Sequence, residues 1–312
     1  MIKITPPSLL SLKIAVAGVI DEVRYRLTKS KRQQRRVMDN FATVDYIISH
    51  RCSISRYGDG ELNLVMAGKY GTAFQSGFQR YDAALAKRLE EILGYRHKAV
   101  NHLVCLPGCA FGIGTGYLRR PARRCWQGFV ARNIDRFLEM TAPGELYGET
   151  NISRFYLSHR DKSRCGEFVA RMKQIWAGRD VVIVEGNLTR LGYGNDLFAG
   201  ARTVRRILCP NDSAFSKYDE ILQTTLAHTT PGTLIILSLG MTATVLAYDL
   251  AAAGRQALDI GHIDIEYEWM RMGATEKVPV PGKFTNEAVG GKNVKPLPSD
   301  GFLQQVITDI SR

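Results

Sequence analysis

The chain alternates between short apolar runs and longer segments whose apolar residues recur at helical spacing. Six runs predict strands: Cys52–Arg56, His102–Leu106, Val181–Val184, Arg206–Cys209, Leu234–Leu239 and Ala257–Ile260. The helical spacing predicts helices over Glu61–Gly68, Asp82–Leu93, Trp126–Met140, Ser163–Ala177, Ala214–Ala227, Thr242–Ala253 and Ile265–Met272. Val181–Val184 is continuously apolar, as in strands that are covered on both faces of a parallel sheet. The alternation therefore predicts an α/β, Rossmann-like fold, with a mostly parallel sheet and helices on both faces.

Residues 1–40 differ from this pattern and predict a basic amphipathic helical arm. Apolar residues fill one broad side of the helix: Leu9, Leu10, Leu12, Ile14, Val16, Val19, Ile20 and Val23. The run from Ile14 to Ile20 is far shorter than the roughly 20 residues that cross a bilayer, so we expect the arm to lie on an anionic membrane surface. The alternative is a helix packed on the body with a solvated basic tail. We divide the rest into a catalytic domain, 41–290, and an irregular tail, 291–312.

Composition and charge narrow the class of protein. With 312 residues, 45% hydrophobic and 23% charged, the chain is globular and can bury a large core. Of the net charge of +12, residues 1–40 carry +6 and residues 117–136 carry +5, with Arg119–Cys125 expected to form a basic surface loop. Such patches call for an anionic partner beyond the active site. Six cysteines without C-x-x-C spacing predict reduced, mostly buried thiols, as in a cytoplasmic protein.

The stretch R-Y-G-D-G-E at 56–61 follows the first predicted strand. Asp59 and Glu61 flank a glycine and follow Gly58, so a tight turn there would aim two oxygen ligands at one divalent cation. A Mg²⁺ or Mn²⁺ ion held by one or two carboxylates completes its shell with water and substrate phosphate. The stretch therefore predicts a metal site for a phosphorylated, nucleotide-activated substrate. The alternative is a polar turn whose Asp caps the following helix.

Polar residues also follow two later strands of the predicted sheet. The segment from Glu185 to Asp196 comes after Val181–Val184, and its Arg190 would neutralise a diphosphate. Gly240 and Thr242 open the helix after Leu234–Leu239 and leave free N–H groups for an anion. The alternatives are an ordinary loop with an Arg–Asp pair and a capped structural helix.

The strand Ala257–Ile260 is followed by His262, Asp264, Glu266 and Glu268. On a helix that begins near Asp264, Asp264 and Glu268 share a face while Glu266 points elsewhere. A carboxylate at this position would serve as the general base that deprotonates an acceptor hydroxyl. The alternative is that Asp264 caps the helix and His262 is a core histidine with satisfied hydrogen bonds.

Together these stretches resemble the GT-D-fold glycosyltransferases, a bacterial family first described as a conserved domain of unknown function. The similar motifs run from about Ile54 to Glu287: R-Y-G-D-G-E at 56–61, R-F-Y at 154–156, E-G-N-L-T-R-L-G-Y-G-N-D-L-F at 185–198, R-I-L-C-P at 206–210, T-A-T-V-L-A-Y-D-L at 242–250 and A-L-D-I-G-H-I-D-I-E-Y-E-W at 257–269. Two positions depart from the family pattern, since Thr189 replaces a common Ser and Met241 replaces a Pro.

The resemblance implies a metal-dependent transferase that uses a UDP-sugar, with Mn²⁺ or Mg²⁺ on Asp59 and Glu61. An inverting enzyme also needs a carboxylate base, for which Asp264 or Glu266 are the first choices and Glu185 and Asp196 the next. The residues expected at the substrate are Arg56, Gly58, Arg190, Asn195, Asp196, Gly240, Thr242 and His262. The expected donor carries glucose or a related hexose.

The family builds bacterial surface polysaccharide or glycoprotein glycans, which implies a glycan acceptor. A lipid-diphosphate-linked acceptor at the inner face of the cell membrane would also account for the basic arm, and would make this a cytoplasmic, peripheral protein. Two other classes compete. One is a phosphotransferase or nucleotidyltransferase that acts on nucleotide-sugars or phosphosugars. The other is a basic nucleic-acid-binding protein, which we disfavour because no known binding motif is present, so no nucleic-acid partner is expected.

Overall fold

The computed structural model describes residues 9–94, 99–294 and 300–312, with side chains from residue 16 onward. The strands there are β1 (Arg36–Val37), β2 (Ser53–Arg56), β3 (His102–Leu106), β4 (Leu146–Glu149), β5 (Asp180–Gly186), β6 (Thr203–Cys209), β7 (Leu234–Ser238), β8 (Gln256–Asp259) and β9 (Val306–Asp309). The helices are α1 (Leu9–Leu27), α2 (Lys29–Arg32), α3 (Asn40–His50), α4 (Asp59–Tyr70), α5 (Ala83–Gly94), α6 (Arg120–Met140), α7 (Cys165–Lys173), α8 (Tyr218–Ala227), α9 (Met241–Ala252), α10 (Ile263–Arg271) and α11 (Asp300–Leu303). Two 3₁₀ turns cover Thr150–Ser153 and Ala214–Lys217.

The strands form one sheet in the order β1-β4-β3-β2-β8-β7-β5-β6-β9, and each recorded pairing is parallel. The first four strands build one half of the sheet and the last five build the other. The halves meet where β2 lies beside β8, with Ile54 opposite Leu258. This arrangement confirms the predicted α/β fold with a parallel sheet.

The central strands are buried on both faces, as their unbroken apolar sequences predict. Val181 and Ile183 of β5 belong to one core cluster, which includes Trp176, whereas Val182 belongs to a second cluster that includes Leu246 of α9. These side chains are fully buried. Because successive residues of a strand point to opposite faces, helices on both sides are needed to cover them.

Several predicted element boundaries were wrong. Arg119–Cys125 is not a loop, since α6 begins at Arg120 with a proline in its first turn, where proline is preformed for a helix. The predicted helix Ser163–Ala177 is shorter in the structure and spans only α7. The predicted helix Ala214–Ala227 is divided into a 3₁₀ turn and α8.

The short strands β1, β4 and β9, two of which form the edges of the sheet, were not predicted. They are two to four residues long, which is too short for a hydrophobic pattern to register. β9 lies within residues 291–312, the predicted tail, and pairs with β6. Residues 280–294 are irregular, as predicted. Phe302, near the start of the described range 300–312, is buried.

The amino-terminal segment forms α1, which packs along α6. The side chains of Leu9, Leu10, Leu12 and Ile14, which were predicted to form part of its apolar side, lie outside the described ones. Within the three described ranges, no helix is both long enough and apolar enough to cross a bilayer.

Candidate active site

The candidate site lies at the carboxyl ends of β2 and β8, where the two halves of the sheet meet. In open α/β sheets, such a reversal of strand order leaves a crevice between the loops that follow the two strands. β4, β5 and β7 end at the same edge, because the sheet is parallel. The predicted site residues therefore come from the ends of these strands, or from the loops and helix starts that follow them.

Arg56, at the end of β2, is bound to Asp259, the last residue of β8. Its Nε donates to the Asp259 carbonyl oxygen at 2.5 Å, and its Nη2 donates to the Asp259 carboxylate at 3.2 Å. Its Nη1 reaches the carbonyl oxygen of Thr150 at 3.3 Å. One guanidinium thus ties three strand ends together and keeps only 15% of its side chain exposed. Asp259 is a site residue that the sequence analysis missed.

Asp59 and Glu61 lie in the first turn of α4 rather than on a separate turn. Gly58 caps this helix, and its N–H donates to Glu61 Oε2 at 2.9 Å, as in a capping box. Asp59 is therefore not the cap. It is exposed at a helix start, where the helix dipole favours negative charge.

The environment of Glu61 fits a divalent cation. Burial, together with the nearby carboxylate of Asp259, raises the pKa of Glu61 to about 7. A cation held between Glu61 and the adjacent Asp59 would offset that unfavourable charge. No three Asp, Glu, His or Cys side chains among the described residues converge on one metal position. These two carboxylates would therefore be the protein's share of a site that substrate phosphate and water complete.

The start of α9 packs directly on the start of α4. Gly240 has a φ of 54°, which favours glycine, and a Cβ atom there would lie 2.6 Å from the Phe78 ring. A Cβ atom on Gly60 would lie 2.8 Å from Cε of Met241, the residue that departs from the family pattern. Thr242 is buried, and its Oγ1 has no hydrogen-bond partner among the described atoms. A helix start that attracts anions thus adjoins the two carboxylates.

The loop after β5 is held by buried charges. Glu185 is fully buried, forms an ion pair with Arg206 and accepts the N–H of Leu191 at 2.6 Å. Arg190 has a φ of 52°, and its Nη1 donates to the Gly282 carbonyl oxygen at 2.7 Å. These contacts fix the loop shape, and they leave Glu185 without access to a substrate in this conformation.

Asn195 links this loop to α10. Its Nδ2 donates to Asp264 Oδ1 at 2.7 Å and to Glu268 Oε1 at 2.6 Å. Lys283 completes the group, with Nζ 2.6 Å from Asp264 Oδ2 and 3.4 Å from Glu268 Oε1. Asp264 and Glu268 therefore share a helix face, as predicted. The neighbouring Asp196 lies outside this group, and its carboxylate accepts bonds from Lys173 and Tyr267.

Glu266 points away from Asp264 and is 1% exposed. Its Oε2 accepts the N–H groups of Tyr156 and Leu157, both at 2.8 Å. Burial raises the pKa of this carboxyl group. These two bonds fix the main chain just after Arg154, so Glu266 has a structural role in positioning that residue.

A charged cluster lies at the crevice and is built from residues that follow β4 and β8 in the chain. Arg154 Nη2 lies 2.5 Å from Glu287 Oε1, and Lys277 Nζ lies 2.5 Å from Glu287 Oε2. His262 Nε2 lies 3.9 Å from Glu287 Oε1. Burial, reinforced by the charge of Arg154, lowers the pKa of His262 to about 3, so the ring is neutral. Asp59 contributes to the field that raises the pKa of Arg154.

No role was predicted from the sequence for Arg154, Lys277 or Glu287. Arg154 belongs to the R-F-Y motif and Glu287 lies at the end of the similar region, so both carried a signal. Lys277 carried none, since it lies in an irregular segment. Of the predicted site residues, Asp59, Glu61, His262 and the helix start at Gly240 and Thr242 surround the crevice.

Comparisons with known proteins agree with this architecture. A family model described as the glycosyltransferase GT-D fold matches residues 54–288. A probable glycosyl transferase, Gly, from Streptococcus gordonii is 35% identical over 92% of this chain and 40% of its own length. Glycosyltransferase GlyD from Streptococcus pneumoniae serotype 4 is 38% identical over 86% of this chain and 32% of its own length. The chain therefore spans less than half the length of these curated relatives.

Two solved structures share the fold over nearly their whole length. One, described as the highly conserved domain of unknown function 1792 with a distinct glycosyltransferase fold, has a TM-score of 0.83 at 34% identity and covers 92% of this chain and 99% of that chain. Another, described as a new glycosyltransferase from Streptococcus sanguinis, has a TM-score of 0.80 at 35% identity and covers 89% and 100%. On sequence and fold alike, the chain belongs to the GT-D-fold glycosyltransferase family.

Proposed function

We propose that this chain is a metal-dependent glycosyltransferase that moves a hexose, glucose or a related sugar, from a UDP-sugar to a glycan acceptor. The acceptor belongs to a bacterial surface polysaccharide or glycoprotein. The observation that carries the proposal is the contact between two helix starts at the Gly60–Met241 position. It brings the carboxylates of α4 beside the anion-attracting start of α9, and a sugar nucleotide needs both.

In this proposal Asp59 and Glu61 hold Mn²⁺ or Mg²⁺. The bound ion would neutralise charge that develops on the UDP leaving group. The N–H groups at the start of α9 would bind the same diphosphate, and Arg154, whose side chain is 37% exposed, would add a positive charge at the crevice. Arg56 acts through Asp259 as a positioning residue for the start of α4.

Asp264 is the carboxylate that we propose as the general base. Glu185 accepts the backbone N–H of Leu191 and also pairs with Arg206, and Glu266 accepts two backbone N–H groups, so main-chain bonds hold both carboxylates. The partners of Asp264 are the side chains of Asn195 and Lys283. These side chains can rearrange when an acceptor hydroxyl enters, and that movement would open access to Asp264, which is 1% exposed in this conformation.

The test is a screen of UDP-sugars for thermal stabilisation and for UDP release, with and without Mn²⁺. We expect one UDP-sugar to raise the melting temperature and to be slowly hydrolysed only when the metal is present. The Asp59→Ala variant should lose both effects, because it removes one of two protein ligands.

Asp219→Ala is the matched control, because Asp219 is also an exposed aspartate in the first turn of a helix, α8. It should behave as wild type. If no UDP-sugar elicits a response, or if the Asp59 and control variants respond alike, the proposal fails. Phosphate transfer from a nucleotide-sugar would then indicate the competing phosphosugar class.

A further inference from the structure

Helix α1 presents its apolar side to solvent. Five large apolar side chains are 44–78% exposed: Val16, Val19, Ile20, Val23 and Leu27. At 3.6 residues per turn they fall within an arc of roughly 100°. We call these five residues the α1 stripe. A helix on a protein surface normally turns such a stripe toward the core, so this one is oriented to meet something else.

The opposite side of α1 is committed to the body of the protein. Tyr25 is 4% exposed, and its hydroxyl donates to the Cys109 carbonyl oxygen at 2.6 Å. Asp21 forms an ion pair with Arg132 of α6 at 2.8 Å. Asp21 also lies against Gly128, where a Cβ atom would be 2.5 Å from its Oδ2. Because this side is fixed by specific contacts, α1 cannot rotate to bury the stripe without breaking them.

Unpaired positive charge lies on α1 and at the start of α2, beside the stripe, and at the adjoining start of α6, and we call the four residues named next the basic rim. Arg24, Lys29, Arg120 and Arg124 are exposed and, among the described residues, form no ion pair. Arg24 follows Val23 directly on α1 and borders the stripe, whereas Arg124 packs beside Gly18, on the side of α1 that faces α6. An apolar stripe rimmed by unpaired arginine and lysine matches the interfacial region of an anionic bilayer.

The same surface adjoins the mouth of the candidate site. Arg119, just before α6, donates from Nη1 to the Thr275 carbonyl oxygen at 2.6 Å, in the loop that leads to Lys277. The charges of Asp59 and Lys277 both act on the pKa of Cys125, which lies in the second turn of α6. Contact at α1 and the start of α6 would therefore bring the crevice close to the lipid headgroups.

We propose that the α1 stripe and its basic rim dock on an anionic lipid bilayer, with the crevice opening at the membrane surface. Membrane docking itself does not depend on the proposed function. Its consequence, that the acceptor is lipid-linked, rests on the proposed function. A second copy of the chain is the competing occupant. Self-association through the stripe would bring the basic rims of two copies together, whereas anionic lipid neutralises them.

The test is co-sedimentation of the full chain with phosphatidylcholine vesicles that contain or lack 30% phosphatidylglycerol. We expect binding to the anionic vesicles only, weakened at least tenfold by the double substitution Val19→Gln and Val23→Gln. Leu303→Gln is the matched control, because Leu303 is 63% exposed but lies on α11. Its binding should equal that of wild type, and all three proteins should share one melting temperature.

Cys125 provides a test of orientation, since it is the exposed member of the six cysteines. An environment-sensitive dye on Cys125 should be quenched by nitroxide-labelled lipid in anionic vesicles, and this quenching should be lost in the stripe variant. Binding without quenching would place the contact elsewhere and overturn the proposal. So would a wild-type dimer that the stripe substitutions dissociate, or equal sedimentation of wild type and variant.

The outcome is separable from that of the proposed function. Asp59→Ala should bind vesicles as wild type does, because it leaves α1 unchanged. A protein that hydrolyses a UDP-sugar but ignores vesicles would refute only the membrane inference, and the reverse result would refute only the transferase.

Discussion

Asp264 and Glu266 lie two positions apart on α10 and face different surroundings. Asp264 is surrounded by the side chains of Asn195 and Lys283, whereas Glu266 accepts two backbone N–H groups. A carboxylate bound by side chains can exchange partners during a reaction. A carboxylate bound by the main chain is part of the scaffold. We therefore propose a chemical role for Asp264 and a structural role for Glu266.

We predict that Asp264→Asn lowers the transfer rate at least 10²-fold while the dissociation constant of the UDP-sugar changes little. Glu266→Ala should instead destabilise the fold by about 1–3 kcal/mol, because it leaves the buried N–H groups of Tyr156 and Leu157 without their acceptor. Rates, donor affinity and melting temperatures of both variants decide the question. Equal loss of activity per folded molecule in the two would contradict the assignment.

His262 makes the stability dependent on pH. Its folded-state pKa is lowered to about 3, while an unfolded histidine titrates near 6.5. Between these values the unfolded chain binds the extra proton, so the stability that comes from a neutral His262 is complete above about pH 6.5 and declines as the pH falls toward 3.

We therefore expect the free energy of unfolding to fall on acidification below pH 6.5, by up to about 1.4 kcal/mol per pH unit from this group. His262→Asn should reduce that slope in urea titrations between pH 4 and 7. His228→Asn is the control, because His228 is exposed and its substitution should leave the slope as in wild type. Parallel slopes for wild type and His262→Asn would refute the prediction.

At the scale of elements, β9 forms one edge of the sheet, and the segment before it covers the buried Arg206–Glu185 ion pair. Phe302 of α11 lies 5.0 Å from the guanidinium of Arg206 and 5.2 Å from the ring of Tyr193. Arg206 also donates through its Nε and its backbone N–H to Gln305, just before β9. The carboxyl-terminal segment thus shields the Arg206–Glu185 pair that supports the loop after β5.

Two adjacent residues of α11 provide a matched pair for a stability measurement. Phe302 is 5% exposed and Leu303 is 63% exposed. Phe302→Ala should cost about 3 kcal/mol and lower the melting temperature by several degrees, whereas Leu303→Ala should change stability by less than about 0.5 kcal/mol. Calorimetry of both variants checks this expectation, and similar values would show that the segment is not packed as described.

At the scale of the whole molecule, the hydrophobic pattern predicted the parallel sheet because the central strands are apolar on both faces. It did not predict β1, β4 or β9, whose short sequences carry no pattern and whose pairing depends on neighbours distant in sequence. The basic segment before Trp126 was predicted as a loop, because charge there outweighed the helix propensity of arginine and the first-turn proline.

The candidate site was predictable to the extent that it follows strand ends. Asp59, Glu61 and His262 were named because polar residues after strands of a parallel sheet collect at one edge. The internal hydrogen-bond partners of Glu185 and Glu266 could not be predicted from the sequence, because those partners depend on tertiary packing. Lys277, which the irregular segment after α10 brings to the crevice, could not be predicted either.

The seam between β2 and β8 has a consequence for the synthesis of the protein. Ile54 and Leu258 are neighbours there, although some 200 residues separate them along the chain. At roughly 5–20 residues per second, the ribosome releases β8 about 10–40 s after β2. Until then the open edge of β2 needs protection, and the crevice has only one wall. A nascent chain that ends before β8 therefore cannot assemble the site, because the second wall of the crevice is still missing.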